Sequence, residues 1–291
     1  MSSLQGIYRG RVWTFGDSVD TNQMAPGGLA GQATNGTALT GGTAVTLVDV
    51  GFSAPFHQQR LSAKYGGGRW VTPVAALARI GILAAEVQQI VLTHKHFDHA
   101  AAVAEFPGAE VVLQQAELER HKSALREPER LAAELRATDP DLLGVLSRCR
   151  LRLVSGAATA GPLTLRPAFD THTAGSQYAV LDTPDGPLVF AGDNVSAYEN
   201  VEGSAGRKGP IPVGSLNGPV ANWLALADDL VAAVAGDTSR IIPFHDDEVW
   251  RRYPTIAFPD GLRVAALTPA TPLPTASPHP AATPRLTEDP R

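Results

Sequence analysis

Apolar residues in this chain come in short runs whose period changes from place to place. Residues 8–15 alternate and carry aromatics, which predicts a strand. The run Ala-Val-Thr-Leu-Val-Asp-Val at residues 44–50 stops at Gly51 and predicts a buried strand followed by a turn. Further short strands are expected at residues 89–92, 110–113, 151–154, 163–167, 178–181 and 188–191, with Pro184-Asp-Gly186 as a hairpin turn. Residues 241–244 read as the last strand. Helical spacing marks two other stretches. Val71, Val74, Ala75, Leu77 and Ile80 share one face ahead of Gly81, and Val220, Trp223, Leu224, Ala227, Leu230, Val231 and Val234 share another ahead of Gly236. Residues 115–147, rich in Ala, Leu and charge, suit two helices broken near Pro128 or Pro140.

Residues 25–42 hold Gly, Ala and Thr without a period and read as a loop over a site, as do residues 203–218. From residue 268 onward Pro, Ala and Thr dominate, which forbids helix and ladder alike and predicts a disordered tail. The expected division is therefore one domain over residues 1–267 and a tail over 268–291. Strands first, a helical middle, then strands and helices again suit two packed sheets with helices outside.

Composition narrows the class. Hydrophobic residues make up 44% and charged residues 18% of the 291 positions, ordinary for a soluble globular protein. A net charge of −5 lacks the basic footprint of nucleic-acid or acidic-membrane binding. No apolar run is long enough to span a bilayer, and no charged-then-apolar leader opens the chain, so a cytoplasmic protein is expected. Cys149, the single cysteine, excludes an internal disulfide. It reads as a half-buried small hydrophobe, with a catalytic thiol as the lesser alternative.

The chemistry concentrates in histidine. There are eight, at positions 57, 94, 96, 99, 121, 172, 245 and 279, and three of them fall within six residues. In an extended segment His94 and His96 point to the same side and can grip one ion, while Asp98 and His99, past a turn, can face a second. Neutral imidazole and carboxylate suit Zn²⁺, Fe²⁺ or Mn²⁺. A solvated polar loop explains so dense a cluster poorly, directly after an apolar strand. His57 and His121 read as surface residues, and His279 lies in the tail.

The string His94-Lys-His-Phe-Asp-His99 resembles the signature motif of the metallo-β-lactamase superfamily. Other landmarks of that family fall in order over roughly residues 8 to 256: Asp49 in Leu-Val-Asp-Val-Gly, His172 in Thr-His-Thr-Ala-Gly, Asp193 in Phe-Ala-Gly-Asp, and His245 in Ile-Pro-Phe-His-Asp. The resemblance implies an α+β fold, an αββα sandwich of two mixed sheets with helices on the outer faces. It assigns His94, His96 and His172 to a first metal, Asp98, His99 and His245 to a second, and Asp193 to both. The cofactors would be two divalent ions, Zn²⁺ first, with Fe²⁺ or Mn²⁺ as alternatives. A metal-bridging hydroxide would be the nucleophile, with Asp98 passing a proton to the leaving group. Asp49 reads two ways, as a turn-capping carboxylate or as a partner for a metal-bound histidine.

Phe97, Gly175-Ser-Gln177, Tyr198-Glu-Asn200 and His245-Asp246 are similar to the N-acyl homoserine lactonase branch. That branch commonly carries a tyrosine three residues beyond the bridging aspartate; here Ser196 stands there and Tyr198 follows two residues later. The implied activity is opening of a lactone or a related carboxylic ester. A thioesterase resembling glyoxalase II and a mono-iron persulfide dioxygenase are the alternatives. A tRNA-processing type of phosphodiesterase fits the acidic charge poorly. The di-iron flavoproteins carry Glu where this chain has His96, and a non-catalytic relative would have lost ligands. The expected partner is a small molecule, with no nucleic acid and no membrane, and the resemblance allows a homodimer.

Overall fold

The computed structural model describes residues 7–20, 32–41, 44–52, 56–57, 59 and 71–274. The first sheet has eight strands: β1 (Arg11–Asp20), β2 (Gln32–Gly41), β3 (Ala44–Val48), β4 (Val87–Val91), β5 (Glu110–Gln114), β6 (Arg150–Val154), β14 (Thr255–Ala257) and β15 (Arg263–Ala266). Their order is β14-β15-β1-β2-β3-β4-β5-β6. Pairing is antiparallel from β14 to β3 and parallel from β3 to β6. The second sheet holds β7 (Ala158–Ala160), β8 (Leu163–Pro167), β9 (Gln177–Thr183), β10 (Gly186–Phe190) and β13 (Ile241–Ile242), in the order β13-β10-β9-β8-β7. Only β10 and β13 run parallel there. A short ribbon, β11 (Gly203–Ser204) with β12 (Arg207–Lys208), lies apart.

Alternation along the strands sorts side chains into layers, because successive residues face opposite sides of a sheet. Leu47, Ile90 and Val111 face an outer core shared with Leu77 of helix α1 (Pro73–Arg79) and Ala100 of helix α2 (Phe97–Ala100). Their neighbours Val48, Val91 and Val112 face the other way and meet Leu165, Leu181 and Leu188 of the second sheet. Across that sheet, Val180 and Val189 pack on Leu226 and Leu230 of a long helix over Val220–Ala233. Two mixed sheets face to face with helices outside are thus the expected α+β sandwich. Residues Ile90–Leu92 and Val111–Leu113 read as unbroken apolar runs because both faces of the sheet are buried there.

The local signals mostly hold, with physical exceptions. Thr72 accepts the Ala75 N–H at 3.3 Å and Pro73 occupies the first turn, so α1 starts where the capping chemistry puts it. On that helix, however, Ala76 is buried and Ala75 faces solvent. Residues 115–147 form three helices, not two: α3 (Gln115–Arg126), α4 (Ala132–Ala137) and α5 (Leu142–Ser147). Both Pro128 and Pro140 fall between helices, so each acts as a break. The later helices are α6 (Glu199–Glu202), α7 (Val220–Ala233) and α8 (Val249–Arg252). On α7, Val220 and Leu224 are exposed, so its buried stripe is narrower than the apolar pattern.

The loop expected over residues 25–42 is corrected over its second part, because residues 32–41 are strand β2, paired on both sides. Its Thr- and Gly-rich sequence shows no period, yet Ala38 and Leu39 are buried on opposite faces. Residues 25–31 lie outside the described residues. Nor is β13 the last strand: β14 and β15 return to the edge of the first sheet beside β1. The expected boundary at residue 268 falls inside packed structure. Thr271 Oγ1 accepts the Val12 N–H at 2.7 Å, and the Trp13 indole donates to the Pro272 carbonyl at 2.9 Å.

Candidate metal centre

The strands end where the chemistry begins. Asp49 leaves β3, His94 and His96 follow β4, His172 sits in the connection from β8 to β9, Asp193 follows β10, and His245 follows β13. His96 precedes helix α2, whose first turn carries Asp98 and then His99. Rigid strands thus deliver each side chain to one place, which sites built on loops alone do not achieve.

All seven anticipated ligand residues come together. Ligand atoms of His94, His96, His172 and Asp193 lie within 4.8 Å of one another, and those of Asp98, His99, Asp193 and His245 form a second such group. Asp193 belongs to both. Its Oδ1 is 3.2 Å from His99 Nε2 and 3.0 Å from His245 Nε2, while its Oδ2 is 3.4 Å from His172 Nε2. His172 Nε2 is 3.1 Å from His96 Nδ1, and Asp98 Oδ2 is 3.5 Å from His245 Nε2.

Three of these imidazoles have Nδ1 engaged from outside. His99 Nδ1 meets Asp49 Oδ2 at 2.9 Å, and His172 Nδ1 meets the Ser215 carbonyl at 3.0 Å. Thr93 Oγ1 donates to Asp49 Oδ2 at 2.8 Å, so His94 Nδ1, 3.1 Å away, donates to that hydroxyl. Each contact turns Nε2 inward, the arrangement that outer hydrogen bonds impose on metal-bound histidine. Asp49 therefore stands as the partner of a histidine and not as a cap of its own turn, since its Oδ1 accepts the Thr93 N–H, 44 residues away, at 2.7 Å. The segment bearing Asp193 passes so close to Thr93 that a Cβ on Gly192, whose φ is 55°, would stand 2.4 Å from Thr93 Oγ1.

Charge is strongly perturbed here. Burial, then neighbouring histidines, hold His94 and His96 well below the ordinary imidazole range, and burial also lowers His172. Burial opposes charge on His99 and His245 too, but Asp193 with Asp49 and Asp98 outweighs it, raising His99 well above that range and His245 to about 9. Burial pushes the carboxyls up as well. Against it, His99 and the His245 hydrogen bond bring Asp98 down to about 2, and His245 and His99 take Asp193 well below the usual range.

The donor set fits a cation. His94 Nε2, His99 Nε2 and Asp193 Oδ1 are buried with no hydrogen-bond partner. Each such atom costs ~1–3 kcal/mol if left unmet. Converging lone pairs of imidazole and carboxylate are what a divalent ion of the Zn²⁺, Fe²⁺ or Mn²⁺ type takes.

Other expectations change. His57 and His121 are buried, not on the surface, at 0% and 2% exposure. His57 Nε2 lies 2.6 Å from Asp139 Oδ2, and its ring stacks on Phe97 at 4.6 Å between centroids. Burial lowers the His121 imidazole, close to Lys95. A single histidine carries no pattern that distinguishes these cases in sequence. Tyr198 is 1% exposed, packed between the sheets with the Arg252 guanidinium 3.5 Å from its ring centroid, and does not line the centre. The sequence reading also missed Lys95 and Glu117, both fully buried and paired at 3.3 Å. The signal available was Lys95 itself, a charge set between two ligands at the exit of a buried strand.

With this geometry in hand, the chain compares with known proteins as follows. The family model described as the metallo-beta-lactamase superfamily matches residues 30–245. No curated protein matches the chain in sequence. An N-acyl homoserine lactone hydrolase, solved with the product N-hexanoyl-L-homoserine at its catalytic metal centre, is similar with a TM-score of 0.62 at 17% identity, over 84% of this chain and 96% of that one. A quorum-quenching N-acyl homoserine lactone lactonase gives 0.60 at 17% identity, over 84% and 95%. A hydrolase described as belonging to the beta-lactamase superfamily gives 0.59 at 15% identity, over 91% and 95%. Likeness at these identities establishes the fold.

Proposed function

The chain belongs to the metallo-beta-lactamase superfamily, and from that premise we propose that it is a dinuclear metallohydrolase that opens a lactone or cleaves a related carboxylic ester. One observation carries this reading: two groups of four ligand residues that share Asp193. His94, His96, His172 and Asp193 would hold one ion and Asp98, His99, Asp193 and His245 the other, most readily Zn²⁺. When bound, such a pair acidifies water to a pKa of about 7 and polarises an acyl oxygen.

The rest falls to the protein. Asp49, Thr93 and the Ser215 carbonyl orient the imidazoles from outside. Burial of His94, His99 and Asp193 keeps bulk water from competing. Asp98 would carry a proton to the leaving oxygen as the acyl C–O bond breaks, so that water adds across that bond. Cys149, half-buried and with its thiol raised by burial, is left out of the chemistry. That lone thiol also accords with a cytoplasmic setting.

The solved lactonase with product at its metal centre supports the lactone. The burial of Tyr198 leaves half-buried Ser196 where the lactonase branch has its tyrosine, which weakens the lactone against a second acyl reading, a thioester. The test is metal content after purification without added metal, paired with a screen of lactones, thioesters and phosphodiesters. About two equivalents of metal with lactone turnover is the expected result. A single iron, oxygen uptake with a persulfide and no hydrolysis would overturn the proposal in favour of a dioxygenase.

A further inference from the structure

Glu117 stands in the first turn of α3, fully buried, and its two oxygens serve two different ligand-bearing loops. Oε1 accepts the Thr173 hydroxyl at 2.5 Å and the Gly175 N–H at 2.6 Å, both in the loop that carries His172. Oε2 accepts the Lys95 N–H at 3.1 Å and the Lys95 ammonium at 3.3 Å. Lys95 lies between His94 and His96. One carboxylate therefore ties together the backbone on either side of the His94, His96 and His172 group. The His172 loop presses hard on the helix here, since a Cβ on Gly175 would lie 2.4 Å from the Glu117 nitrogen.

The charges around Glu117 are matched rather than stray. The Lys95 ammonium also reaches Glu134 Oε2 at 2.9 Å, and Arg120 reaches Glu134 Oε1 at 2.9 Å. Two cations thus answer two carboxylates in a row, Glu117 to Lys95 to Glu134 to Arg120. A buried ion pair of this kind adds little stability over well-packed apolar side chains, so stability does not explain its presence. Fixing two loops against each other does. Ligands need placement to within about 0.5 Å, and a carboxylate with four directed acceptor contacts gives that where an apolar contact slides.

We propose that Glu117, backed by Lys95, is a positioning residue that sets the spacing of His94 and His96 against His172. The proposal rests on the metal reading above. It touches neither metal nor substrate, and acts through the backbone of the ligand loops.

The test is Co²⁺ titration of the chelator-stripped full-length protein, followed by visible d–d absorption and run well below the melting temperature. His172→Ala and His245→Ala assign each equivalent to its group. In Glu117→Gln the amide NH₂ faces donors on one arm, so the equivalent at the His172 group should weaken on the order of 10–100-fold with a shifted spectrum. The equivalent at the His245 group should keep its affinity. Thr173→Val, which removes one hydrogen bond, should produce a smaller loss at the same group, and Thr173→Ser should restore it. If Glu117→Gln does not fold, this Thr173 pair decides. Wild-type affinity and spectrum for both equivalents in Glu117→Gln, or in Thr173→Val where only that variant folds, would overturn the positioning role alone. A wild-type protein that takes up no cobalt would overturn the metal centre itself.

Discussion

Nδ1 of His99 lies 2.9 Å from Oδ2 of Asp49, 50 residues earlier in the chain. The contact decides the tautomer. A carboxylate at Nδ1 keeps a proton there and aims Nε2 at Asp193, 3.2 Å away, the atom a metal ion would take once its proton is displaced. Asp49 adopts a φ of 55°, a conformation that Asp and Asn tolerate better than other branched or bulky residues. One residue thus ties the end of β3 to Thr93 at the exit of β4 and backs the His99 imidazole.

Asp49→Asn separates those roles, because Asn keeps the backbone conformation and the shape. Metal affinity at the Asp98–His99–Asp193–His245 group should fall on the order of 10–100-fold. Zinc competition against a chromophoric chelator measures it, and the melting temperature of the stripped protein should move little by comparison. Unchanged zinc affinity would remove Asp49 from the centre.

Asp98→Asn should lower kcat/KM on the best substrate by at least about 10²-fold, the low end for loss of a proton-transferring group. Circular dichroism should match the wild type, since Asp98 sits at the start of a four-residue helix and not in the packed layers. Full activity in this variant would refute the role given to Asp98.

Metal uptake should depend on pH differently at the two groups. His99 lies well above the ordinary imidazole range and His245 at about 9, because nearby carboxylates outweigh burial. In stripped protein at neutral pH a cation must displace their protons, so affinity at this group falls as pH falls below about 9. His94, His96 and His172 are lowered, so no extra proton has to leave them for a cation to bind at neutral pH. Between about pH 8 and about pH 6, on either side of the ordinary imidazole value, the bound metal should therefore drop from two equivalents toward one. Equal loss from both groups would contradict this ordering.

Ser196 is half-buried beside the centre, and its carbonyl accepts the His245 N–H at 3.0 Å. Tyr198 is committed to the core between the sheets. If the lactone reading holds, Ser196→Tyr should raise kcat/KM on an acyl-homoserine lactone about tenfold, the worth of one hydrogen bond of ~1–1.5 kcal/mol formed in the transition state. Steady-state kinetics against a matched thioester check it, and a gain on the thioester alone would point away from lactones.

Much of the centre was legible in the chain because its signal is local. His94, His96, Asp98 and His99 sit within six residues, directly after an apolar strand, and no packed core needs so many imidazoles there. His172, Asp193 and His245 were legible only by resemblance, each at the exit of an expected strand. Strand β2 was not legible, because its Thr and Gly residues carry no alternation and its pairing partners are supplied by β1 and β3. The burial of His57 was not legible either. It depends on Asp139, 82 residues away, and on the face of Phe97.

The chain alone thus determined the local cluster of candidate ligands, His94, His96, Asp98 and His99, since residue type and local spacing are covalent facts, and it determined the layered class, since side-chain alternation follows from backbone geometry. Only the tertiary structure decided that Asp193 stands between both groups, that Asp49 and Thr93 aim the imidazoles, and that Glu117 joins two ligand loops. Those relations rest on contacts across the fold, 44 residues apart for Asp49 and Thr93, 58 for Glu117 and Gly175, and about 94 for His99 and Asp193. Such contacts leave no local pattern, because the directed bond is made across the fold and not along the chain.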